Sequence, residues 1–281
     1  AESSLFFSSG YLANQAVIGA LSSLDAEFFS DELNHASIID GMKTARVSKV
    51  IYPHKDMGRL EVALRNSSKS NKVIYSESLF SMDGDFANLR ELQLLAKKYD
   101  ALLIVDDAHA IGCLGEQGSG LSPEGAVSIN TCGKALGVSG AVVAGPHWLR
   151  ELIINKGRAF IYTTGASPWV ASAVLTSIHF VQDLEGKRAY LASISSQLIQ
   201  ELKALDLDCG SSSSHIIPII LGDEKLTLEY SRKLLEAGII APCIRPPTVA
   251  ENSCRLRLSL NAAIKEEDCE RIVESFKRIR I

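Results

Sequence analysis

The sequence predicts an α/β fold, with a large domain on a mainly parallel, helix-covered sheet followed by a smaller α+β domain. Three observations carry this. Ala101-Leu102-Leu103-Ile104-Val105 is wholly apolar, as a strand buried on both faces must be, and it runs into Asp106-Asp107-Ala108-His109. Just before it, Leu89, Leu92, Ala96 and Tyr99 recur at helical spacing and form one apolar stripe to lay on a sheet. After Pro168 the texture changes to a long helical stretch without strands. A chain of 281 residues suffices for both domains, and the change of texture sets them at residues 1–170 and 171–281, the second including the linking helix.

Taken in order, Ser9-Gly10-Tyr11 opens a helical Ala-Asn-Gln-Ala-Val run. Val73-Ile74-Tyr75 and Ala141-Val142-Val143-Ala144 read as further strands beside 101–105. The later helical stretch runs from Ala171 to about Leu205 and gives way to a serine-rich loop at Ser211 to Ser214. A strand over Ile216 to Ile220 and a helix opened by Asp223 and closed by Gly238 follow. In Arg255-Leu256-Arg257-Leu258-Ser259-Leu260, strict alternation puts three leucines on one face and Arg255, Arg257 and Ser259 on the other. Two arginines on one face invite a carboxylate; periodicity alone equally allows a half-exposed strand with solvated arginines. No internal repeat is present.

Composition narrows the partners. With 46% hydrophobic and 22% charged residues the chain buries a sizeable core. A net charge of −4 opposes nucleic-acid and anionic-membrane partners, which require clustered positive charge. The six cysteines are scattered without a Cys-x-x-Cys pair, so a reducing cytoplasm is expected and a metal or redox disulfide is not. No run of about 18 uncharged apolar residues suggests a spanning helix. The start, Ala1-Glu2-Ser3-Ser4, has no initiator methionine or signal pattern, and the true N-terminus is expected to lie upstream.

Chemistry concentrates around Thr131-Cys132-Gly133-Lys134-Ala135-Leu136-Gly137, where one lysine stands among small residues. A Schiff-base lysine needs close backbone approach to its cofactor, which glycines permit, and a pyridine ring needs a carboxylate beside its nitrogen to stay protonated. Lys134 and Asp106 supply both, and Asp106 sits at the carboxyl end of its strand, where α/β sheets bind ligands. This combination points to pyridoxal phosphate. The phosphate of such a cofactor needs backbone N–H groups at a helix N-terminus, and Gly10 and Tyr11 are placed to offer them. A metal at Asp106, Asp107 and His109 is the rival, but neighbouring residues of a strand point to opposite faces and would not converge.

Six ordered motifs together resemble the α-oxoamine synthases, pyridoxal-phosphate enzymes of fold type I. They are Gly10 to Gln15, Asn34 to Ser37, Phe80 to Asp85, Asp106 to His109, Thr131 to Lys134 and Tyr162 to Thr164, and they span nearly the whole chain. The resemblance implies that Lys134 holds the cofactor and, as a neutral amine, removes the amino acid's Cα proton. It implies that Asp106 pairs with the ring nitrogen, His109 bonds the ring's 3-hydroxyl and His35 stacks on the ring. It adds Ser81 and Thr131 as cofactor contacts and has Thr163 or Thr164 reach the phosphate of a neighbouring subunit, so a homodimer with a shared site is expected. Arg257 would bind the amino-acid carboxylate, and Arg245 and Thr248 would lie along the acyl channel. Ile244-Arg245-Pro246-Pro247-Thr248-Val249 is similar to the alanine-using branch that serves biotin synthesis, whose donor is pimeloyl-CoA or pimeloyl-acyl carrier protein. A sister enzyme using glycine or serine, and a non-catalytic subunit of the same fold, are the alternatives. Where the family has His-Asn-Asp, this chain has His54-Lys55-Asp56; Ala250-Glu251 and Gly165-Ala166-Ser167-Pro168 are further departures.

Overall fold

The structure, a computed structural model, describes residues 1–279. Their contacts group into two units, Ala1–Phe80 with Ala87–Leu184, and Ser81–Phe86 with the residues from Glu185 onward.

The first unit is built on seven strands: β1 (Ser3–Phe7), β2 (Glu27–Asp31), β3 (Ser48–Tyr52), β4 (Lys72–Glu77), β5 (Ala101–Asp106), β6 (Val127–Thr131) and β7 (Ala141–Gly145). They form one sheet in the order β1-β7-β6-β5-β4-β2-β3. Strands β2 to β6 pair in parallel, whereas β7 is antiparallel to both its neighbours. The reason is length: a parallel return needs a crossover of about a dozen residues or more, and the 132–140 link is too short for one.

Both sheet faces are covered, and strand alternation sorts the side chains. Phe28, Val73, Tyr75, Ile104, Ile129 and Val143 face one core with α1 (Gly10–Leu21), α2 (Ala36–Thr44) and α5 (His147–Lys156). Phe29, Ile74, Leu103 and Val105 face the other, with α3 (Met57–Asn66) and α4 (Leu89–Lys98). This two-sided burial explains the unbroken apolar run at 101–105. Two further helices, α6 (Arg158–Ile161) and α7 (Pro168–Gln182), complete the unit. Val174 and Val181 of α7 pack with Cys132 and Leu136, so this helix groups with the first unit, although the change of texture assigns it to the C-terminal domain.

The expected long helix is two, α7 and α8 (Glu185–Lys203), and the break between them is where the second unit resumes. That unit adds β8 (Ile216–Gly222), α9 (Glu224–Glu236), β9 (Cys243–Ile244), β10 (Cys254–Ser259) and α10 (Glu266–Ile279). Its sheet is antiparallel in the order β8-β10-β9. The Asp223 side chain accepts from Leu226 N at 2.8 Å and so caps α9, and Gly238, at φ +78°, ends it.

Along β10 the leucines are buried as the alternation requires, but Arg255 is buried too, and it donates to Asp83 Oδ1 at 2.6 Å. The Ser81–Phe86 strap groups with this unit, and Ser214 Oγ also donates to the Gly84 carbonyl at 2.8 Å. Gly84 sits at φ +67°, and a Cβ there would strike the Ile216 carbonyl. Gly84→Ala therefore combines a left-handed backbone with a clash, and should destabilise the protein by at least about 2 kcal/mol in urea unfolding. An unchanged midpoint would mean that the strap is not held as described.

Candidate active site

At the carboxyl ends of β4, β5 and β6 the first unit opens a cavity of about 100 Å³. Parity along β5 decides what reaches it: Ile104 and Asp106 share the face of Tyr75 and α1, while Val105 and Asp107 belong to the other. Asp106 lines the cavity; its Oδ2 accepts from Asn14 Nδ2 at 2.9 Å and its Oδ1 from Ala108 N at 3.0 Å. Asp107 turns away and accepts from the Ser122 N–H at 2.8 Å and hydroxyl at 2.6 Å, tying down the loop after β5. The two carboxylates do not converge, and among the described residues no group of three His, Cys, Asp or Glu is placed to hold a metal.

Burial pushes the Asp106 carboxyl above the usual carboxylate range, opposed by the Asn14 hydrogen bond, the Lys134 charge, the Ala108 N–H and His35. Lys134 lines the same cavity from the turn between β6 and β7, a turn closed by Cys132 N to Gly140 O at 2.8 Å and Val138 N to Cys132 O at 3.0 Å. His35 caps α2: its Nδ1 accepts from Ser37 N at 3.2 Å and lies 2.8 Å from Ser37 Oγ. Burial pushes the His35 imidazole down; Asp106 raises it, and Lys134 lowers it further.

The α1 N-terminus closes the cavity wall. Ser9 Oγ accepts from Leu12 N at 3.2 Å, and Gly10 and Tyr11 line the cavity beside Thr131, the last residue of β6. A side chain at Gly10 would run into Thr131 Oγ1, so this approach requires glycine.

Thus Gly10, Tyr11, His35, Asp106, Thr131 and Lys134 share one cavity. His109, half-buried on the turn after β5, is not among its lining residues. Thr163 is exposed in the segment before α7. The other expected residues group with the second unit. There Arg257 Nη1 donates to the Ser81 carbonyl at 3.2 Å, and its Nε is buried without a hydrogen-bond partner, an open donor for a carboxylate. Arg245 is exposed and pairs with Glu224 at 2.9 Å, and exposed Thr248 donates its N–H to the Arg245 carbonyl at 3.0 Å.

Asn14, Ser37, Glu77 and Ala108 also line the cavity, although sequence reasoning assigned them no part in it. Asn14 left a signal: it is a polar residue at 1% exposure among the alanines and valine that α1 buries. Lys55, at the departure from the family's asparagine, adopts φ +59°, a left-handed conformation that asparagine tolerates better than lysine.

The donor set suits a heteroaromatic cation bearing a phosphate. A buried carboxylate faces the cavity, a primary amine stands on a turn beside it, and helix N–H groups and a threonine form another wall.

Comparison with known proteins agrees. The chain belongs to the class I and II aminotransferase family, whose model matches residues 1–276. Within that family it falls among the α-oxoamine synthases, and it is most like 8-amino-7-oxononanoate synthase. It is 44% identical to the 8-amino-7-oxononanoate synthase of Cupriavidus necator, over 96% of this chain and 70% of the relative. It is 41% identical to a putative one of Bacillus licheniformis, over 98% and 74%. Among solved structures, serine palmitoyltransferase of S. paucimobilis with bound PLP-myriocin superposes with a TM-score of 0.93 at 28% identity, covering 98% of this chain and 72% of that one. The 8-amino-7-oxononanoate synthase of Francisella tularensis gives 0.84 at 31%, covering 99% and 83%.

A carboxyl whose folded pKa lies above its ordinary value favours folding at low pH and opposes it once ionised. The Asp106 contribution is therefore fully present below 3.8 and is lost as pH rises through the raised value. Asp106→Asn cannot ionise, although its amide nitrogen would face the Asn14 or the Ala108 N–H and cost stability at every pH, so the melting temperature of the variant minus that of wild type, both cofactor-free, should become more positive from pH 4 to pH 7. A difference that falls over that range would contradict the burial assigned to this carboxylate.

Proposed function

We propose that this chain catalyses the decarboxylative condensation of L-alanine with a pimeloyl thioester, giving 8-amino-7-oxononanoate, carbon dioxide and free thiol, with pyridoxal phosphate as cofactor. The observation that carries this reading is one cavity holding Lys134, Asp106 and His35 in a chain 41–44% identical to relatives of that name. When bound, pyridoxal phosphate supplies an electron sink that stabilises negative charge at the amino acid's Cα.

The residues have separate tasks. The Lys134 amine, which lines the cavity, would hold the cofactor and would move the Cα proton as a neutral base. Asp106 holds a proton at the ring nitrogen by offering its carboxylate to it. His35, which lines the cavity, would lie against the ring face and exclude water from it, and His109 would hydrogen-bond the 3-hydroxyl. The Gly10 and Tyr11 N–H groups hold the phosphate at the positive end of α1, and Ser81 and Thr131 add contacts. Arg257 offers the planar fork that an amino-acid carboxylate fits, and Arg245 and Thr248 line the path of the acyl chain.

We assign the donor as pimeloyl-CoA or pimeloyl-acyl carrier protein, the assembly as a homodimer and the location as the cytoplasm. Exposed apolar side chains support the dimer: Trp169 is 86% and Phe180 65% exposed on α7, and Tyr162, beside Thr163, is 72% exposed. Such a patch asks for a protein partner, and a second copy laid on it would cover Thr163, the residue expected to reach a neighbour's phosphate. The location rests on scattered free cysteines, and among the described residues no helix is long and apolar enough to cross a membrane.

A sister α-oxoamine synthase using serine or glycine is the second reading, favoured by the TM-score of 0.93 to serine palmitoyltransferase. One methyl group separates alanine from glycine, about 1–3 kcal/mol of discrimination, so the choice is measurable. The visible absorption of the cofactor-loaded protein should respond to L-alanine at lower concentration than to glycine or L-serine, and turnover should follow with pimeloyl-CoA; the reverse order would favour the second reading. Lys134→Ala should lose the lysine-bound absorption and turnover together, and an active variant retaining that absorption would overturn the assignment. Trp169→Asp should shift sedimentation from dimer to monomer.

A further inference from the structure

Below the cavity runs a hydrogen-bonded chain that joins two of its functional side chains through residues with no assigned role. Tyr75 is fully buried on β4, and its hydroxyl lies 2.5 Å from Asn14 Oδ1. The phenol donates to the amide oxygen, which leaves the Asn14 amide nitrogen turned to Asp106 Oδ2 on its other side. Both Asn14 N–H bonds are then spent on the cavity side. One reaches Asp106 Oδ2 at 2.9 Å and the other Ser37 Oγ at 2.8 Å. With its oxygen taken up as an acceptor, the Ser37 hydroxyl has its own proton to give, and the atom in reach is His35 Nδ1 at 2.8 Å.

The far end of the chain is independently pinned. The Ser37 backbone N–H, which can only donate, also points at His35 Nδ1, at 3.2 Å. An Nδ1 that accepts from a backbone N–H carries no proton, so the imidazole is neutral with its hydrogen on Nε2. Every donor thus points one way, from Tyr75 through Asn14 and Ser37 to His35, with a branch to Asp106. At the branch, Asp106 Oδ2 meets an amide N–H and could not donate to it, so the carboxylate is stabilised in its ionised form. Burial raises the Asp106 pKa overall, and the Asn14 hydrogen bond is the largest influence opposing that rise; for His35, burial favours the neutral imidazole.

We propose that Asn14, set by Tyr75, is a positioning residue of this site: it holds Asp106 as an acceptor-only carboxylate and, through Ser37, holds His35 as the neutral Nε2–H tautomer. The inference rests on the reading that Asp106 serves the ring nitrogen of pyridoxal phosphate, and it adds that neither protonation state is a property of Asp106 or His35 alone. Asn14 borders the cavity, but both its N–H groups are spent on Asp106 and Ser37. It acts through Asp106 and His35.

Two measurements test it without assaying turnover. The first compares the affinity of the cofactor-free protein for pyridoxal phosphate with its affinity for the 1-deaza analogue, in which carbon replaces the ring nitrogen. Wild type should prefer the natural cofactor, and Asn14→Leu should cut that preference by about tenfold or more, the effect of removing a hydrogen bond to a buried charge. Tyr75→Phe, which deletes only the hydroxyl, should cut it less but in the same direction, and serves if Asn14→Leu does not fold. In an Asp106→Asn background the Asn14 substitution should have no further effect on the preference. A preference unchanged in both single variants would overturn the proposal; a wild type that binds both compounds alike would instead overturn the assignment of Asp106 to the ring nitrogen. The second is a long-range ¹H–¹⁵N spectrum of the histidines in the cofactor-free protein at pH 7. His35 should carry its proton on Nε2, and a proton on Nδ1 would overturn the proposal.

Discussion

A carboxylate at 5% exposure inside a sheet-and-helix layer is expensive unless donors reach it, and much of the first unit is arranged around that cost at Asp106. The strand that carries it must be buried on both faces, so β5 is apolar until its last residue. The helix that serves it must approach closely, and the buried side of α1 is largely Ala13, Ala16, Val17 and Ala20 around the one polar Asn14. A partner helix must approach as well, and Gly41 of α2 does so where a Cβ would meet Ile18 Cδ1 at 2.7 Å. The donors that stabilise this anion are the ones that orient its surroundings. Electrostatics and packing are one problem here, solved by the same few side chains.

How much of this could be read from the sequence followed from how local each signal was. The β5 strand and α4 were plain because burial on two faces and on one stripe leave periods that need no knowledge of the fold. Asp106 was legible because it ends that strand, and Lys134 because glycine and alanine crowd it. The β2 strand was harder, since Glu27 and Asp31 flank a core of only two aromatics and a serine, and a five-residue run with charged ends resembles a loop. No local pattern in α7 says which unit it joins, because it is apolar on its exposed side as well as at Val174 and Val181, and its grouping with the first unit is visible only in the packing on Cys132 and Leu136. Arg255 and Arg257 looked equivalent by alternation. The Ser81–Phe86 strap, far away in sequence, neutralises one with Asp83 and leaves the other a buried Nε.

The antiparallel β7 follows from the same economy of connection. A strand returning through a turn brings the lysine to the carboxyl end of β6 directly, beside the end of β5, with no helix in between. The Lys134 turn is therefore held by backbone hydrogen bonds across its base, from Cys132 to Gly140 and from Val138 to Cys132, while its tip stays accessible. In the proposed function, a lysine so mounted would exchange its partner and take a proton without disturbing the sheet beneath it.

The Ser81–Phe86 strap also bears on the protein's modularity. The chain enters the second unit at Ser81, leaves it after Phe86, and enters again at Glu185. The unit is thus not a contiguous cassette. A fragment beginning at Glu185 would carry Arg255 without the carboxylate that pairs with it, and would lack the Gly84 carbonyl and the Asp85 carboxylate to which Ser214 and Ser211 donate. An unpaired buried guanidinium costs several kcal/mol, about the whole stability of a small domain. A cut at the obvious junction would therefore give two incomplete products.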